Sequence, residues 1–271
     1  MITAALSRKP ISRPSMVFLL MLAGLTWALL RRCSRKVQNG IVLILMLINT
    51  AQHFLKPLIY PQYWGTGFSS IISAYNMCAV LIIFSPFVLL WGGKFAKNFV
   101  FFVGSVAGIA AIAVPYWYIG MDVSALGWDY ARFYICHALL FITSLMPLVL
   151  KLHRPKWHEF WQVGLGFFLA LGIILLNDCI FIRLGLYPGT NAADVYGSLL
   201  RLNPCGVMAP PAGLPWLEGI VRVFTPDIFW GIPFLWYAIP LYLGISLIAL
   251  VLFLLADRTG LRIRRHKKVR R

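Results

Sequence analysis

Residues 160–184 read FWQVGLGFFLALGIILLNDCIFIRL. A run of about 20 apolar residues is long enough to cross the hydrocarbon core of a bilayer as a helix. This run also carries Asn177 and Asp178 well inside its apolar stretch. An ionisable residue at such a place is costly, so it marks a functional position or a helix–helix hydrogen bond.

Six further stretches have the same character: 14–30, 38–60, 68–91, 98–119, 131–152 and 230–255. The whole chain is 60% apolar, 12% charged and has a mean hydropathy of +0.79. These values define an integral membrane protein: all-α, a polytopic transmembrane helical bundle of about seven spans. The first stretch follows Arg8, Lys9 and Arg13, as a signal peptide would. It is followed at once by Arg31, Arg32, Arg35 and Lys36 without a small-residue cleavage site, which favours a retained helix.

Basic residues fix the orientation, because Lys and Arg concentrate in cytoplasmic loops. Alternate connections carry Arg31, Arg32, Arg35 and Lys36, then Lys94 and Lys97, then Lys151, Arg154 and Lys156. The end of the chain adds eight more, from Arg258 to Arg271. All fall on one side of a seven-span path. The expected orientation is N-terminus outside and C-terminus inside, with 259–271 a basic cytoplasmic tail against anionic lipid headgroups. The net charge of +17 is explained by that arrangement, and no basic-aromatic groove points to nucleic acid.

The chain reads as a single integral membrane domain over 1–271, without repeat or linker. Between the last two spans lies 185–229, rich in Pro and Gly yet apolar. Trp216, Leu217, Val221 and Phe224 there predict an interfacial segment or lid, with a plain surface loop as the alternative. Five cysteines are scattered without a CxxC pair, so a disulfide framework is not indicated.

Polar side chains on four spans reach compatible depths. His53 falls in the outer third of its span, Cys78 about 15 Å down its own, His137 in the outer half, and Asn177 and Asp178 in the outer third. Each has a companion on its own helix face at a spacing of three or four: Asn49 with His53, Tyr75 with Cys78, Tyr134 with His137. Asn76 precedes Cys78 by two. A cysteine near a histidine is a nucleophile–base pair: the imidazole takes the thiol proton and the thiolate attacks an acyl carbonyl. Asn177 or Asp178 would orient the ring. On this reading Cys78, His137, Asn177 and Asp178 are catalytic, while His53, Asn49, Tyr75, Asn76 and Tyr134 bind substrate. The alternative is that Cys78 packs and His137 bonds a neighbouring helix. A third alternative is a metal held by His53, His137 and Asp178. No cofactor motif is present. Gly104–Gly108 spells GxxxG, a helix-packing face and not a serine-hydrolase elbow.

NMCAV at 76–80, FFVGSVAGIAAIAVP at 101–115 and RFYICHALLF at 132–141 together resemble the YwaF family of integral membrane proteins. The similarity runs over roughly 50–255. An animal relative of that family is a transmembrane acyltransferase of ether phospholipids that works through a cysteine thioester and a histidine. The resemblance implies that Cys78 is the acyl acceptor and His137 its base, with membrane phospholipid or fatty acyl chains as partners. The competing class is a transporter, or a sensor of lipids or small molecules, with a polar intramembrane pocket.

Overall fold

The structure, a computed structural model, describes residues 12–59, 72–113, 123–208, 215–230, 232–236 and 240–254. Among the described residues the regular structure is helical, with no strand. The long helices are α1 (Ser12–Leu30), α2 (Arg35–Phe54), α3 (Met77–Trp91), α4 (Lys94–Ala113), α5 (Val123–Val149) and α6 (Trp161–Arg183). Two short ones, α7 (Val195–Leu202) and α8 (Pro215–Phe224), lie between α6 and α9 (Pro240–Leu254). Among the described residues three segments are long and apolar enough to cross a membrane: Lys94–Ala113, Ala131–Val149 and Trp157–Arg183. The N-terminal residues before Ser12 and the basic tail lie outside the described residues.

Two compact units emerge from the packing. The first comprises Met1–Gly67, Leu81–Gly92 and Val100–His153; the second comprises Phe68–Val80, Gly93–Phe99 and Arg154–Arg271.

In the first unit α2 lies along α5, and α1 also packs on α5. The buried residues of α2 are Gln38, Val42, Met46, Asn49 and His53, a helical stripe at spacings of three and four. Its other face carries Ile44, Leu47 and Ile48, about half exposed each. A helix apolar on its outer face as well as its inner one suits a lipid surround. Its start is fixed by Ser34, whose Oγ accepts from the Val37 N–H at 3.4 Å. Gln38 Nε2 donates back to the Leu30 and Cys33 carbonyls, at 2.9 and 3.2 Å, and so ties α2 to the end of α1 and the turn after it.

The GxxxG face behaves as its pattern predicts. A Cβ at Gly108 would stand 2.7 Å from the Phe141 backbone nitrogen and 2.8 Å from the His137 carbonyl oxygen; one at Gly104 would overlap Ser144 Oγ. Only glycine permits α4 and α5 to meet this closely.

In the second unit α6 is the central element, packed against α7, the turn at 157–159 and the turn at 204–206. Its start is anchored by a buried polar knot. Glu159 Oε2 accepts from Asn98 Nδ2 and the Lys156 N–H, both at 3.2 Å, while Lys94 Nζ lies 3.6 Å from Oε1. Asn98 also donates to Gln162 Oε1 at 2.7 Å.

The stretch after α6 is neither a long helix nor a plain loop. Asp194 caps α7 by accepting from the Gly197 N–H at 2.9 Å. Arg183 Nη1 reaches the Ala192 carbonyl at 2.8 Å, and Arg201 holds the Gly189 carbonyl. Asn203, in the left-handed region at φ 44°, ends α7, and its Oδ1 accepts from the Met208 N–H at 3.0 Å. Trp236 Nε1 donates to the Gly206 carbonyl at 3.1 Å. In α8 Val221 is buried while Val223 and Phe224 are exposed, an apolar surface of the kind an interfacial segment presents.

Candidate functional site

The polar residues singled out from the sequence fall into two groups. Asn49, His53, Tyr134 and His137 belong to the first unit; Tyr75, Asn76, Cys78, Asn177 and Asp178 belong to the second.

In the first unit Asn49 and His53 share the buried face of α2, as their spacing predicts. Asn49 is fully engaged: Nδ2 donates to the Cys136 carbonyl at 3.1 Å, and Oδ1 accepts from Gln52 Nε2 at 3.0 Å. His53 is 2% exposed. His137 Nδ1 stands 2.7 Å from the Phe133 carbonyl oxygen, one turn back on α5, and its ring lies 4.2 Å from that of Phe133. A carbonyl can only accept, so Nδ1 carries the proton. The neutral ring then keeps the Nε2 lone pair, the tautomer a general base requires. Tyr134 is half-buried. Two cations also belong to this group: Lys56, 4% exposed, and Arg132 both act on His137 and Cys136. Sequence reading passed over them because they sit at the ends of apolar stretches, where charges are ordinary.

Of the expected span 68–91, residues 68–71 lie outside the described residues, 72–76 are irregular and α3 begins at Met77. The cause is local. Asn76 Oδ1 accepts from the Ala79 N–H at 2.8 Å and caps α3. Just before it, Ala74 N–H donates to Asn177 Oδ1 at 3.3 Å, which ties this irregular segment to α6. Cys78 is therefore the second residue of α3, half-buried in its first turn, and not halfway down a helix. Asn76, expected to bind substrate, has its side-chain oxygen committed to the cap. Tyr75 is half-buried in the segment leading in.

Asn177 links α6 to that segment. Its Nδ2 donates to Ser73 Oγ at 3.0 Å and to Asp178 Oδ1 at 3.1 Å. Asp178 is completely buried, and its Oδ2 has no hydrogen-bond partner. Two groups from the stretch after α6 lie within reach of its charge, the Tyr187 hydroxyl and the Cys205 thiol. Burial first, and the neighbouring Asp178 carboxyl second, push Tyr187 up to about 12. Cys205 is exposed as a residue, yet its sulfur is enclosed by protein atoms. That enclosure pushes the thiol up to about 11, against a hydrogen bond from the Met77 backbone N–H. Cys205 is held in the left-handed region at φ 52°, between Pro204 and Gly206 at φ 72°. Two thiols thus relate to one helix start: Cys78 lies in the first turn of α3, and the Met77 backbone N–H there acts on the Cys205 thiol.

Ser73, Tyr187 and Cys205 were not foreseen. The signal that could have found Cys205 is its neighbourhood, Asn203-Pro204-Cys205-Gly206, whose Asn and Gly mark a chain reversal. Among the described residues no group of three or more His, Cys, Asp or Glu side chains is placed to hold a metal ion. The chain matches no family model, no curated protein and no solved structure.

Proposed function

We propose that the protein is a polytopic membrane protein of the YwaF type, with seven spans, N-terminus outside and C-terminus inside, that transfers acyl groups between lipids. Cys78 takes the acyl group from a lipid ester as a thioester, and the acyl group then passes to an acceptor. In the first step the thiol proton goes to the imidazole of His137 and on to the leaving alkoxide; the ester C–O bond breaks as the C–S bond forms. The role of His137 follows the family resemblance.

The observation that carries this reading is the placement of Cys78 in the first turn of α3. The positive end of the α3 dipole lies there and stabilises negative charge that develops beside it during attack. The His137 tautomer, with Nε2 available, supports the base role. Apolar outer faces such as Ile44, Leu47 and Ile48 support lipid as the surrounding medium and the source of substrate.

The test is lipid analysis of membranes from cells carrying wild type, Cys78→Ala or His137→Ala. Loss of a lipid species with Cys78→Ala, and a drop of about 10²–10⁴-fold in its formation rate with His137→Ala, is expected. Unchanged lipids with a folded Cys78→Ala protein would overturn the reading. A second reading, a sensor or transporter with a ligand in a polar pocket, is favoured by the open oxygen of Asp178. It predicts ligand binding that is indifferent to Cys78.

A further inference from the structure

Among the described residues of the second unit two buried side chains have a polar oxygen without a hydrogen-bond partner, Asp178 and Ser246, and of these only Asp178 is ionisable. It is 0% exposed. Its Oδ1 accepts from Asn177 Nδ2, and its Oδ2 accepts nothing. A carboxyl oxygen so placed is destabilising relative to a bonded one. Asn177 is not available to correct this. Its Nδ2 already serves Ser73 and Oδ1, and its own carbonyl oxygen holds the Ala74 N–H. Ser73, in turn, is fixed by Asn177. The carboxyl is therefore tied on one side and without a hydrogen-bond partner at Oδ2.

Charge narrows what fits there. No salt bridge joins Asp178 to a described lysine or arginine; Lys94 and Glu159 pair at the other end of α6. The charge of Asp178 reaches Cys179, next in the chain, and Tyr187 and Cys205, which stay neutral at physiological pH since burial raises both. They supply no counter-charge. A buried carboxylate is stabilised by a cation that also donates a hydrogen bond, and far less by a neutral hydroxyl.

We propose that Asp178 Oδ2 is the seat of a primary ammonium group, carried by an amphiphile or by a small soluble amine. The N–H points at Oδ2, which a quaternary ammonium, having only methyl groups, cannot match. Ser73, Asn177 and the start of α3 form the fixed wall of the seat; Tyr187 and Cys205 border it from the stretch after α6. This assignment goes beyond the acyl-transfer reading and holds whether or not Cys78 carries an acyl group.

The test is thermal unfolding of the full chain in neutral detergent with three probes: octylammonium, ethylammonium and octyltrimethylammonium. Wild type should be stabilised by a primary ammonium, by about 5–10 °C at a hundredfold excess over Kd. Octyltrimethylammonium should give no rise. Stabilisation by octylammonium alone identifies an amphiphile; an equal rise with ethylammonium identifies a soluble amine. Asp178→Asn, which keeps the shape and removes the charge, should lose the response. An equal effect of the quaternary probe, an unchanged response in Asp178→Asn, or no rise with either primary ammonium overturns the proposal; the last would leave Oδ2 to a buried water. If Asp178→Asn does not fold, the primary-against-quaternary comparison on wild type still decides. Cys78→Ala run in parallel should respond as wild type does, which separates this site from the fate of the thioester reading.

Discussion

Replacing Asn177 with alanine removes three hydrogen bonds at one stroke: to Ser73 Oγ at 3.0 Å, to Asp178 Oδ1 at 3.1 Å and from the Ala74 N–H at 3.3 Å. Ser73 and Asp178 are both buried, so water does not replace what is lost. At about 0.5–1.5 kcal/mol for each neutral bond, and more for one to a charged group, the loss is about 2–4 kcal/mol. For a chain of this size each kcal/mol moves Tm by about 2–4 °C, so the variant should melt about 4–16 °C below wild type. The damage should also be local. With Ala74 released, the segment ahead of α3 loses its tie to α6, and the first turn of α3, with Cys78 in it, becomes more accessible. The assay is thermal unfolding in detergent, combined with the rate at which a maleimide labels Cys78, read by peptide mass spectrometry. A Tm within 1 °C of wild type, with unchanged labelling of Cys78, would refute the reasoning, because it would mean that the Asn177 bonds do not hold the head of α3.

Two further outcomes are expected. Gly108→Val puts a branched side chain where a Cβ already stands 2.7 Å from the Phe141 nitrogen, so α4 must move off α5; overpacking of this kind costs about 1–3 kcal/mol and should appear as a lower Tm, whereas an unchanged Tm would deny the close approach. Alkaline pH should destabilise the fold. Cys205 rises from 9.0 to about 11 and Tyr187 from 10.0 to about 12, so the folded chain holds protons that the unfolded chain releases. Their contribution is complete below pH 9.0 and is lost as pH climbs towards about 12. Unfolding followed against pH should show this decline, and Tyr187→Phe together with Cys205→Ser should flatten it.

What could be read from the sequence and what could not divide on physical lines. The helical stripe Val42, Met46, Asn49 and His53 is periodic, so the inward face of α2 was legible from spacing. Gly104 and Gly108 were legible for the same reason: small residues four apart make a flat strip on any helix. The beginning of α3 was not. Residues 68–76 are apolar enough to extend the helical run, and composition alone carries Cys78 halfway down a span. What stops the helix is the cap of Asn76 and the long-range hold of Asn177 on Ala74. A bond between residues a hundred positions apart leaves no periodic trace. Cys205 is a similar case. It reaches the head of α3 because Asn203, Cys205 and Gly206 adopt positive φ, and a cysteine in that region cannot be foreseen from propensity. Asn177 and Asp178 were recognised as misplaced polar residues, but their division of labour, one saturated and one open, depends on partners that only the folded chain supplies.

The central claim is that Cys78 carries an acyl group in turnover. Intact-mass analysis of protein purified from cells without reducing agent, followed by hydroxylamine at neutral pH, tests it most directly. The account predicts a fraction of the chain heavier by one fatty acyl group, mapped to the Cys78 peptide, released by hydroxylamine and missing in Cys78→Ala. An unmodified Cys78 in wild type, and in a His137→Ala protein supplied with lipid, or an adduct confined to Cys205, would contradict it.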